Sequence, residues 1–176
     1  MSRGKRQTLA LLLGNLILCV VVALANHTMA DWQLRLWPGG LLVATAALLA
    51  GPGAGAAAVF VAGLALDATA PVPFGTHAFV LLGAQTVFYA LRTRLMRNAT
   101  PVRVAVAVLA GVLSWLGLAA VAKAAGLTSA GAGRLLLELA ATSVMTLLIA
   151  PWFFALQCRL LYLAQVGLRA EERRFD

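Results

Sequence analysis

The chain reads as long apolar runs cut by brief polar breaks. Uncharged stretches cover residues 8–30, 36–66, 68–91, 104–122 and 139–156. A membrane-crossing helix needs about 20 mostly apolar residues, so four of these runs predict one helix each. The run 36–66 is too long for one crossing, and Gly51-Pro52-Gly53-Ala54-Gly55 marks a turn at its middle. Splitting it there predicts six helices, at about 8–25, 38–50, 54–67, 76–92, 103–123 and 135–157, followed by a basic tail over 158–176 that is amphipathic from Leu160 and is expected to continue the last helix into the cytoplasm. The second and third are short, which predicts a thin crossing, little tilt or close packing on neighbours. The fold class is therefore all-α: a polytopic membrane protein whose residues 1–176 form one integral membrane domain, with no soluble domain and no internal repeat.

Composition strengthens this reading. Of 176 residues, 62% are hydrophobic and 11% charged, against about 25% charged in a soluble domain. The net charge of +8 would point to nucleic acid in a soluble protein. Here the bases flank the apolar runs and read as membrane topology, so no nucleic-acid partner is expected. Arg3, Lys5 and Arg6 precede the first helix. Arg92, Arg94, Arg97 and Arg103 follow the fourth, and Arg159, Arg169, Arg173 and Arg174 follow the sixth. With six helices all three clusters fall on one side, leaving only Arg35, Lys123 and Arg134 on the other. Both termini are then cytoplasmic, in a multi-pass membrane protein. The basic start and the Ala23-Leu24-Ala25 stretch resemble a secretory signal, but the apolar run is long and is read as a retained first helix. Trp32 and Trp37, in the connection at 26–37, suit an interfacial belt or a short helix lying on the membrane surface.

Few residues could carry chemistry. Cys19 and Cys158 lie in the first and last apolar runs, so no disulfide is expected, and two cysteines without clustered histidines make no metal site. Hydrolase, zinc-protease and phosphate-loop motifs are absent, and Ser114 and Ser143 have no histidine at matching depth. No enzyme activity and no cofactor is expected. Asn15, Gln85 and Ser114 are candidates for hydrogen bonds between helices, and Pro151 is expected to bend the sixth helix beside Trp152.

Ionisable residues at membrane depth call for a functional reading. Glu138, four residues after Arg134, has the spacing of an intrahelical pair. Asp67 and His77 flank a turn in which Pro71 and Pro73 cannot continue a helix, Gly75 can take positive φ and Thr76 could cap the next helix. A satisfied turn accounts for the prolines and the glycine. It accounts less well for an acid and a histidine.

Leu66 and Asp67, then Pro73, Phe74, Gly75, Thr76, His77 and Ala78, resemble the signature of the bacterial rod shape-determining MreD family. There an aspartate closes one helix, and a proline–leucine–glycine turn leads to a histidine that opens the next. Phe74 in place of leucine departs from that pattern. Length, Pro38 before the second helix, the basic stretch at 95–98, and Pro151-Trp152 before a basic tail are also similar. The resemblance implies a non-enzymatic membrane scaffold of the cell-wall elongation machinery, similar in fold to the substrate-binding subunits of energy-coupling-factor transporters. It implies binding to MreC and, through it, association with MreB, RodA and a class B penicillin-binding transpeptidase. Asp67, Pro73, Phe74, Gly75, His77, Pro151 and Trp152 are then the expected partner-binding or structural motif. A small-molecule-binding subunit of a transporter, with Asp67, His77 and Glu138 lining a pocket, stays open as an alternative.

Overall fold

In lipid a backbone must satisfy its own hydrogen bonds, and a helix does so within one segment. The computed structural model describes residues 3–32, 35–70, 73–94, 99–126 and 132–172. Pro71, residues 95–98, Arg173 and Arg174 lie outside them. The described residues form six α-helices and two short 3-10 turns, without a strand. The helices are α1 (Arg3–Thr28), α2 (Gly39–Leu49), α3 (Pro52–Asp67), α4 (Thr76–Leu91), α5 (Thr100–Ala124) and α6 (Ala132–Glu172).

α1 outruns the pattern, starting at Arg3 rather than near residue 8, while α6 runs on into the tail to Glu172, as the tail's amphipathic sequence predicts. Apolarity marks only the part of a helix that meets lipid, while Arg, Gln, Leu and Glu propagate a helix equally well in water. α6 also continues through Pro151 as one helix. Proline sets the starts of three others. Pro38 precedes α2, Pro52 opens α3 and Pro101 lies in the first turn of α5, where a missing N–H costs nothing. Between α2 and α3, Ala50 and Gly51 are both extended and reverse the chain in two residues.

Three helices, over Gly4–Thr28, Thr100–Ala124 and Gly133–Ala164, are long and apolar enough to cross a membrane, the build of a membrane protein. The other three are shorter. α2 has 11 residues and α3 and α4 have 16 each, or roughly 16 Å and 24 Å of helix against about 30 Å of hydrocarbon.

The shortest helix is the innermost. Every residue of α2 from Gly39 to Leu48 is buried, and it packs against α3, α4, α5 and α6. Apolar side chains gain nothing by leaving lipid tails for one another, so close fit must hold helices together. Gly40 is the plainest case: a Cβ there would strike the Ala107 carbonyl and the Gly111 Cα of α5. Around α2, Leu18, Leu42, Leu81, Val106 and Phe153 fill a continuous core. The outer faces of α1, α5 and α6 carry exposed Leu13, Leu16, Leu24, Leu109, Leu116, Leu147 and Leu148, an apolar sheath suited to lipid.

The two ends of the bundle differ. At one, α2 turns into α3 and α4 finishes. There Arg92 Nη1 donates to the Ala50 carbonyl at 3.0 Å, setting a cation at the negative end of α2, and its guanidinium covers the Tyr89 ring at 3.8 Å. Between the ends, Gln157 Nε2 donates to Asn15 Oδ1 at 3.1 Å, joining α6 to α1. At the opposite end, α3 passes into α4 through the 67–77 turn.

Candidate functional site

α3 ends on Asp67, and its buried carboxylate reaches across the turn to the start of α4. Oδ2 accepts the Gly75 N–H at 3.0 Å and the Ala78 N–H at 3.3 Å. Oδ1 accepts the His77 N–H at 2.9 Å and the His77 Nδ1–H at 2.7 Å. A helix leaves its first N–H groups without partners, and a carboxylate is a strong acceptor for them. Asp67 is thus the N-cap of the helix after its own. This corrects the expectation for Thr76, whose hydroxyl donates back to the Pro73 carbonyl at 2.7 Å and caps nothing. Gly75 closes the turn at φ 98°, a conformation costly for any residue with a Cβ.

His77 is 7% exposed. Since Nδ1 faces a carboxylate oxygen it carries the proton there, and Nε2 is left without a protein partner among the described residues. The imidazole packs on Trp37 with ring centroids 5.0 Å apart. Trp37 turns into the bundle. Its indole N–H donates to Ser114 Oγ at 3.3 Å and its backbone N–H to Thr142 Oγ1 at 3.3 Å. Ser114 in turn donates to the Ala110 carbonyl at 2.7 Å. Asn26 holds the same connection to α1: its Nδ2 donates to the Leu36 carbonyl at 3.1 Å and its Oδ1 accepts the Leu36 N–H at 2.7 Å. Asp67, His77, Trp37, Ser114, Thr142 and Asn26 thereby tie α1, α3, α4, α5 and α6 to the entrance of α2.

Above this network lies an open cavity of about 540 Å³, lined by side chains from α1, the 35–38 connection, α3, α4, α5 and α6, among them His77, Trp37, Trp115, Arg35 and Glu138. Its origin is geometric. α2 begins only at Gly39, so the longer helices overshoot it and enclose space above its first turn. Glu138 accepts from Arg134 Nε at 3.4 Å, the pair its spacing predicts, and its carboxylate also borders the cavity.

The remaining motif residues divide. Pro73 and Phe74 form the outer lip of the turn, and the Phe74 ring is 72% exposed. Pro151 and Trp152 are exposed on α6, 13 residues beyond Glu138 and so roughly 20 Å along the helix, and do not join the site. Sequence reasoning missed Asn26, Trp37 and Thr142 as members. The unusual polarity of the 26–37 connection pointed toward Asn26 and Trp37, nothing in it told which way Trp37 turns, and Thr142 gave no signal of its own within the apolar run of α6. Compared with known proteins, the chain matches no family model, no curated protein and no solved structure.

Proposed function

We propose that this protein is a six-span, non-enzymatic scaffold of the MreD type in a bacterial inner membrane, with both termini in the cytoplasm. One observation carries the reading: a buried carboxylate with four donors fixes the 67–77 turn, and the fixed turn holds the large apolar ring of Phe74 out of the fold. Rigid presentation of one exposed aromatic residue suits recognition. The six-span arrangement draws support from the position of charge. Lys5, Arg6, Arg92, Arg103 and Arg159 stand at the end opposite Asp67, while Arg35, Lys123 and Arg134 belong to the Asp67 end. The larger basic share belongs on the cytoplasmic side, which sets the turn at the outer leaflet.

In this reading the partner is MreC, contributing a single membrane-spanning helix beside the α3–α4 turn, and through it MreB, RodA and a class B penicillin-binding transpeptidase. The likeness to substrate-binding subunits of energy-coupling-factor transporters belongs to the same proposal. The test is affinity purification of the tagged protein from its native membrane in mild detergent, followed by mass spectrometry, for wild type and Phe74→Ala. A single-span partner with cell-wall synthases is expected from wild type and a reduced yield from the variant. Equal recovery from both would remove the role given to the turn.

The cavity favours a second reading, a small-molecule-binding subunit of a transporter. Recovery of an ATPase module in place of cell-wall synthases would select it.

A further inference from the structure

The cavity at the Asp67 end has the size of a small-molecule site, for which 300–1,000 Å³ is typical. Its walls are mainly apolar, with Val22, Leu66 and Leu118 beside the indoles of Trp37 and Trp115. Its polar groups are not equally available. Glu138 is bonded to Arg134, and the Asp67 carboxylate, occupied by four donors, does not line the cavity. Groups without a protein partner among the described residues include the guanidinium of Arg35 and Nε2 of the nine-tenths buried His77.

We propose that this cavity binds an amphipathic anion, its acidic group held by Arg35 and the His77 ring, and its apolar or aromatic body against Trp37 and Trp115. The guanidinium supplies the charge that favours an acid. Nε2 accepts the hydroxyl of a protonated acid or, on the doubly protonated ring, donates to its anion. The apolar walls favour a ligand whose remainder is not hydrated. A soluble aromatic acid and the head of an anionic lipid share this chemistry. The site rests on the geometry of the cavity and is compatible with either functional reading above.

The test uses the purified full-length protein in detergent. It is titrated with 8-anilinonaphthalene-1-sulfonate, a soluble aromatic anion, with energy transfer from tryptophan as the signal, and native mass spectrometry reports any co-purified adduct. Wild type is expected to bind saturably. Arg35→Ala, at an exposed position that the fold does not depend on, should weaken binding roughly tenfold, the loss expected for one charged hydrogen bond. Ala119→Trp, which fills the cavity, should abolish it, and Leu148→Ala on the outer face of α6 should leave it unchanged. A phospholipid adduct lost in Arg35→Ala would identify a lipid head as the natural anion, and a smaller acidic adduct a soluble one. Equal affinity in wild type and Arg35→Ala, or unsaturable uptake alike in all four proteins, would overturn the proposal.

Discussion

At the scale of single residues, Asp67 bears more than its partner does. Three of its four hydrogen bonds come from backbone N–H groups, and these survive loss of the imidazole. Asp67→Ala strands them, at about 1–3 kcal/mol for the first buried donor left unpaired. Asp67→Asn recovers little, because its new NH₂ must face either the Gly75 and Ala78 N–H groups or that of His77. The expected order of destabilisation is therefore Asp67→Ala above Asp67→Asn above His77→Ala, read as the midpoint of unfolding in mixed micelles. A larger loss from His77→Ala would mean that the ring, and not the cap, holds the turn. Gly75→Ala should cost about 1–2 kcal/mol in the same assay, the strain of a Cβ at positive φ.

At the scale of helices, α2 is held by fit and by its ends. Its contact with α5 depends on Gly40, so Gly40→Leu should push the two helices apart and cost about 1–3 kcal/mol, the usual range for overpacking. The reading is again the unfolding midpoint. An unchanged midpoint would show that α5 yields without loss. At the far end, Arg92→Ala leaves the Ala50 carbonyl and the negative pole of α2 without their cation. A smaller loss is expected, about 0.3–1 kcal/mol, and Arg92→Lys should restore part of it, since an ammonium supplies the charge without the planar fork.

At the scale of the whole molecule, the proposal makes the two ends face different compartments. Thr69 is exposed at one end and Thr93 at the other. In a background with Cys19→Ala and Cys158→Ala, a membrane-impermeant maleimide should label Thr69→Cys on intact spheroplasts and Thr93→Cys only after the membrane is opened. The reverse pattern would invert the orientation. Labelling of both from one side would remove α4 as a crossing, a direct trial of a helix only 16 residues long.

How much of this was legible depended on how local the cause was. Apolar runs, the break at Gly51 and the prolines specify helices through backbone chemistry alone, so the six elements could be read from the chain, with the boundary most blurred where α1 leaves the apolar region. The pairing of Asp67 with His77 was legible as an oddity, an acid and a histidine around a turn. That Asp67 caps the following helix was not, because Thr76 offered a local cap of equal plausibility and only the approach of α3 to α4 decides between them. The inward turn of Trp37, its bonds to Ser114 and Thr142, and the cavity above α2 depend on five helices meeting around a sixth that is too short to fill them. By itself the sequence determined the elements, the apolar sheath and the sorting of charge, because these follow from each segment's own chemistry. Tertiary structure alone decided which polar groups meet and which space stays open, because both depend on distances between segments far apart in the chain.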